Sequence, residues 1–154
     1  IYIHPAYLGR DTNFDFALVG LEEDIGKYTG WAALRVLGDL ELEGKHVSVT
    51  GYPAQKSALD IILGRRVEHM YTMEGPILEV EKHKIYYEID TSGGQSGSGI
   101  WFLDTNGLVS CLGIHIMGRS KVLGNAGVRI NRENLNIISD WLFKSSTHND
   151  KKVA

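Results

Sequence analysis

Asp90-Thr91-Ser92-Gly93-Gly94-Gln95-Ser96-Gly97-Ser98-Gly99 decides how this chain is read. Four of its ten residues are glycine and three are serine, and strand-like apolar runs flank it at 85–89 and 100–103. Glycine tolerates positive φ, so a turn this rich in it can aim several N–H groups at one point. Ser96 stands at the apex, where those amides would converge. Acyl transfer needs that pairing: a nucleophile, and donors for the oxyanion it creates. A flexible Gly/Ser linker has a similar composition, but linkers rarely interrupt core-grade strands so tightly.

Outward from this turn the chain reads as short strands separated by glycine and proline. Upstream lie strand patterns at 1–3, 14–21, 47–53, 65–73, 77–81 and 84–90. A loop is expected at 4–7, an exposed acidic loop at 22–30 and a break at Gly75-Pro76. Downstream, Asp104-Thr105-Asn106-Gly107 predicts a hairpin with a type I′ turn, because Asn-Gly suits its two positive φ values. Strands follow at 108–117 and 126–130. Asn131 is then a plausible helix N-cap, with Leu135, Ile138, Trp141 and Leu142 on one face. Many short strands and one terminal helix indicate an all-β barrel or sandwich.

The 154 residues fit one domain, and 43% hydrophobic content is enough to bury a sizeable core. The net charge of −3 gives no pull toward nucleic acid or an anionic membrane. No apolar run approaches the ~18 residues of a membrane helix. Cys111 is the one cysteine, which excludes an intrachain disulfide and a Cys-based zinc site. It sits in an apolar strand and reads as buried packing. Nothing in the sequence asks for a metal or a cofactor.

Three segments in order carry a family resemblance: Asp15-Phe16-Ala17-Leu18-Val19, Val47-Ser48-Val49-Thr50-Gly51-Tyr52-Pro53, and Ser92-Gly93-Gly94-Gln95-Ser96-Gly97-Ser98. Gly113-Ile114-His115 and the run 125–130 follow in the same order. Together they resemble the chymotrypsin-like serine endopeptidases, and most closely the bacterial glutamyl endopeptidase branch. The resemblance implies a double β-barrel with its first barrel incomplete here and a C-terminal helix. Residues 1–144 would form the protease domain and 145–154 a polar tail.

The same resemblance assigns roles. Ser96 would be the nucleophile, Asp15 would support the base histidine, and the N–H groups of Gly94 and Ser96 would form the oxyanion hole. A lone carboxylate between Phe14 and Phe16 is costly to bury without a partner. The family's base histidine precedes its aspartate by several tens of residues. Of His4, His46, His69, His83, His115 and His148 only His4 precedes Asp15, in a context that reads as structural. The chain, which opens on Ile1 rather than methionine, is therefore expected to be a C-terminal fragment lacking the base. Alone it is expected to hydrolyse peptides negligibly.

His115 and Thr91 match the residues with which glutamyl endopeptidases bind a substrate carboxylate. Asp90 matches the position where trypsin-like enzymes attract Arg or Lys. The surrounding loop favours Glu, and with a single cysteine the disulfide that frames the trypsin pocket cannot form. Gln95 stands where zymogen-type relatives carry an aspartate, so an ion-pair activation switch is not expected. The partner implied is a polypeptide substrate, with no nucleic acid and no membrane, for a secreted enzyme that is monomeric when complete. The rival is an inert homologue that keeps the barrel as a binding module.

Overall fold

The computed structural model describes residues 1–54, 69–120 and 124–149. Strands β1 (Tyr2–Ile3) and β2 (Ala17–Leu18) form a small antiparallel sheet, and β3 (Ala33–Leu34) is a short strand after it. Then come β4 (His46–Gly51), β5 (Tyr71–Val80), β6 (Lys84–Tyr87), β7 (Gly99–Leu103), β8 (Val109–Ser120) and β9 (Gly124–Arg129). The last six close into an antiparallel barrel in the order β4-β5-β6-β9-β8-β7. β3 joins outside it, parallel to the start of β8, pairing Ala33 with Ser110 and Leu34 with Cys111. The barrel, rather than a sandwich, is the outcome of the all-β pattern.

Alternation explains the interior. Val47 and Val49 on β4, Ile77 on β5, Ile85 and Tyr87 on β6, Ile100 on β7 and Leu112 on β8 meet in one buried cluster. Removing each such side chain from water contributes roughly 1.5–3 kcal/mol. Ser48, out of phase with the two valines, is satisfied by donating its hydroxyl to Glu74 Oε1 at 3.1 Å.

Gly75-Pro76 does not break the chain as expected; β5 runs through both residues. The reason is register. Positions 71–76 pair with β4, and pairing with β6 begins at Ile77, so Pro76 sits where one ladder hands over to the next. A missing N–H is tolerated there. Gly75 allows the close approach, since a side chain at this position would run into the Glu88 carbonyl. The beginning of the strand expected at 65–73 lies outside the described residues.

The 104–107 hairpin forms, but not with a type I′ turn. Gly107 has φ +76°, while Arg10 is the one non-glycine residue with positive φ among those described, so Asn106 does not meet the I′ requirement. Instead Gly107 N–H donates to Asp104 C=O at 2.9 Å, and the Asp104 carboxylate accepts from the Asn106 and Leu108 amides. The aspartate side chain organises the turn, and a single left-handed glycine completes it.

Ahead of the barrel the sequence expectation holds less well. Residues 14–21 are not one buried strand: Thr12–Phe14 is a 3₁₀ turn, Phe16 is buried, and Val19 and Leu21 remain 55% and 65% exposed. β2 has only the two-residue β1 as its partner, so little of the segment can be covered. Residues 4–8 hold a one-turn helix, α1 (Pro5–Leu8), capped by His4, whose Nδ1 accepts from the Ala6 amide at 3.2 Å. The acidic loop contains α2 (Gly26–Thr29), and α3 (Asp39–Leu42) drops Leu42 into the barrel core.

The terminal helix, α4 (Arg132–Asn149), continues past position 144, where a tail was expected to start. Asn131 caps it as predicted, its Oδ1 accepting the Asn134 amide at 2.7 Å, while its Nδ2 donates to Lys82 C=O. Ile138 and Trp141 are buried, but Leu142 is half exposed because the packed stripe ends one residue earlier. Asn131→Ala removes both the cap and the tie to the β5–β6 turn. Urea unfolding of this variant is expected to show a loss of about 1–2 kcal/mol.

Candidate active site

Two halves of the chain meet at a cavity of about 340 Å³ lined by Ile3, Tyr7, Asp15, Phe16, Ser96 and His115, among others. Asp15 reaches it through a local device absent from the strand expectation. Its φ and ψ are −75° and 66°, and the Phe16 amide donates back to Phe14 C=O at 2.8 Å. This is an inverse γ-turn. It lets Phe16 enter the core while the neighbouring carboxylate stays at the cavity wall.

Ser96 is held by the turn from which the sequence was read. Gln95 is buried and its Oε1 accepts the Ser92 amide at 2.8 Å, closing the turn from inside. The Gln95 N–H goes to Ser92 C=O, Ser98 N–H to Gln95 C=O, and Gly97 N–H to His115 C=O at 2.8 Å. That leaves the N–H groups of Gly93, Gly94 and Ser96 without an acceptor among the described residues. Gly94 has φ +97°, and a Cβ there would lie 2.7 Å from the Ala54 nitrogen and 2.8 Å from the Tyr52 oxygen. Only glycine fits. Unengaged amides beside an exposed hydroxyl can stabilise an anion formed on a carbonyl that the hydroxyl attacks.

His115 is 2% exposed and pinned through its backbone to the same turn, donating its N–H to Ser98 C=O at 2.8 Å. Its Nδ1 lies 2.5 Å from the Tyr87 hydroxyl. Burial pulls the His115 pKa below its ordinary value, so the ring is neutral near pH 7. The Thr91 Oγ1 is buried with no hydrogen-bond partner among the described residues. Such an atom is costly unless a ligand or water satisfies it. Asp90, by contrast, is exposed.

The sequence reading missed Tyr7. The charge of Asp15 and a side-chain hydrogen bond to it raise the Tyr7 pKa, so the phenol keeps its proton and faces that carboxylate. The Tyr sits in a four-residue helix with no periodic signal, so only packing could reveal it. His4 stacks on Phe14 with ring centroids 4.1 Å apart and does not line the cavity. Of the five described histidines whose side chains are placed, His115 alone lines it. Cys111 is buried, and burial pushes its thiol pKa up. Among the described residues no three His, Cys, Asp or Glu side chains gather into a metal site.

No protein-family model matches the chain. It is 31% identical over 149 residues to the glutamyl endopeptidase of Bacillus licheniformis, a match covering 91% of this chain and 43% of that protein. It is also 31% identical over 134 residues to a Bacillus subtilis protein named extracellular metalloprotease, covering 86% of this chain and 39% of the other. The solved structure of a Glu endopeptidase in complex with MPD superposes with a TM-score of 0.73 at 26% identity, over 90% of this chain and 60% of that one. The chain thus spans less than half the length of the curated relatives it matches.

Proposed function

The chain is a homologue of glutamyl endopeptidase with the all-β chymotrypsin-like fold, and on that premise we propose that it carries the nucleophile, the aspartate and the specificity pocket of a serine endopeptidase. What supports this most directly is the cavity that Asp15 and Ser96 line together beside unengaged amides. In the proposed reaction Ser96 Oγ attacks the scissile carbonyl carbon and its proton passes to a histidine. Asp15 orients that histidine, a role that none of the described histidines fills: His115 alone among them lines the cavity, and it serves the pocket. The oxyanion is held by the Gly94 and Ser96 amides. The C–N bond breaks, the amine leaves with the proton, and water hydrolyses the acyl-enzyme by the same path.

Cleavage after Glu is the specificity the residues favour. A neutral His115 and the unpartnered Thr91 hydroxyl can both donate to a substrate carboxylate without a fixed positive charge in the pocket. Asp90, exposed to solvent, is poorly suited to anchor a buried Arg or Lys. On peptides differing only in the residue before the cleaved bond, the intact protein is expected to prefer Glu over Gln by at least tenfold and to leave Arg uncleaved. Preference for Arg would sink this assignment. The relative named as extracellular supports secretion, and no helix among the described residues is long and apolar enough to cross a membrane.

A second reading, an inert homologue that binds peptides, draws support from the cavity lining, where Tyr7 rather than a second imidazole stands with Asp15. Labelling of Ser96 by a fluorophosphonate in the intact protein separates the two: the enzyme is labelled and the inert homologue is not.

A further inference from the structure

We propose that Tyr87 is a positioning residue that holds His115 in the tautomer with its proton on Nε2, so that the pocket offers a neutral N–H donor to the substrate. The inference deepens the Glu-binding reading and rests on it for its consequence, though not for the tautomer itself.

Tyr87 ends β6 inside the barrel, 0% exposed. Its ring is tilted 55° to that of His115, with centroids 6.0 Å apart, and its hydroxyl meets Nδ1 at 2.5 Å. Burial drives the Tyr87 pKa far upward, so the oxygen keeps its hydrogen. A buried O–H needs an acceptor, and among the described residues Nδ1 is the one it has. Nδ1 can accept only while it carries no proton. The imidazole proton must then sit on Nε2, which has no hydrogen-bond partner among the described residues, on a side chain that lines the cavity with Ser96.

The contact also opposes a second proton. Protonating Nδ1 would force the phenol to turn and accept, leaving its own O–H buried without a partner. The groups around the ring do not override this. β6 contributes Tyr87, β9 places Gly127 opposite His115, and the nucleophile turn contributes Ser96 and Ser98. Across the cavity the N-terminal half contributes Tyr7 and Asp15. Neither main-chain group of His115 is free to re-aim the ring, since its N–H and C=O are both bonded to the turn. Tyr87 therefore decides which ring nitrogen is a donor, and the strand decides where it points.

The test is a long-range ¹H–¹⁵N correlation spectrum of the ¹⁵N-histidine-labelled chain, with His115 assigned by the loss of its signals in His115→Gln. Above the histidine titration, wild type is expected to show a protonated Nε2 and an accepting Nδ1. Tyr87→Phe is expected to show a substantial Nδ1–H population. An Nδ1–H tautomer in wild type overturns the proposal even if the variant fails to fold; so does an unchanged tautomer in a folded variant. In the intact protein Tyr87→Phe should raise KM for a Glu peptide about tenfold with kcat little changed, as expected for lost ground-state binding. If wild type does not prefer Glu over Gln, the Glu assignment fails and the spectrum alone still judges the tautomer.

Discussion

Ser96→Ala is expected to abolish fluorophosphonate labelling and to lower kcat of the intact protein on the order of 10⁶-fold, the cost of deleting the serine from a triad in a protease of the same chemistry. The size follows from role, since without Oγ no acyl-enzyme can form and water must attack directly. Stability should move by no more than about 0.5 kcal/mol, because Ser96 is exposed and the hydrogen bonds that shape its turn come from Gln95, Gly97 and Ser98. That contrast makes the measurement decisive. A variant with unchanged melting and unchanged hydrolysis would remove Ser96 from the mechanism altogether.

Trp141→Ala should have the largest effect on stability, a loss of about 3–5 kcal/mol. Trp141 projects from α4 into a second buried cluster with Phe16, Val128, Ile130 and Ile138, outside the barrel core. Its ring centroid lies 5.5 Å from that of Phe16 and stacks 6.2 Å from that of Tyr2. One side chain thus clamps the helix, the end of β9 and both strands of the small N-terminal sheet. Deleting it leaves a cavity that three separate elements would have to collapse to fill. Because Phe16 adjoins Asp15, hydrolysis should fall together with stability. Trp141→Phe should recover most of both, since it keeps an aromatic ring in the cluster. Chemical unfolding monitored by far-ultraviolet circular dichroism measures the first effect. A loss below ~1 kcal/mol would show that α4 docks without this anchor.

The site was legible in the sequence where its geometry is local. Ser96, Gly94 and Gln95 lie within one turn, and the density of glycine there announces both the positive φ of Gly94 and the gathering of amides. Asn131 was equally legible, because an N-cap is a contact across three residues. The barrel strands announced themselves through period-two alternation and turn residues. Where a local rule met a tertiary demand, the tertiary demand won. Gly75-Pro76 looks like a break, yet the transfer of pairing from β4 to β6 turns it into strand. Asn106-Gly107 looks like a type I′ turn, yet the Asp104 carboxylate offers the Asn106 and Leu108 amides a better partner.

By itself the sequence determined that the chain is all-β with one terminal helix, that Ser96 sits in a glycine-rich turn, and that no disulfide can form within the chain. Each of these follows from residue type and short spacing, the scale at which backbone preferences act. Only the tertiary structure decided that the strands close into a barrel, and that the γ-turn at Asp15 faces the cavity of Ser96. It alone set Tyr7 against Asp15 and Tyr87 against His115. The first pair forms where α1 folds back on the 3₁₀ turn, and the second where β6 pairs with β9 and β9 with β8. A contact made by burial between distant strands leaves no periodic trace along the chain. For that reason the glycine-rich turn could be read from the residues, whereas the side chains that face it across the cavity could not.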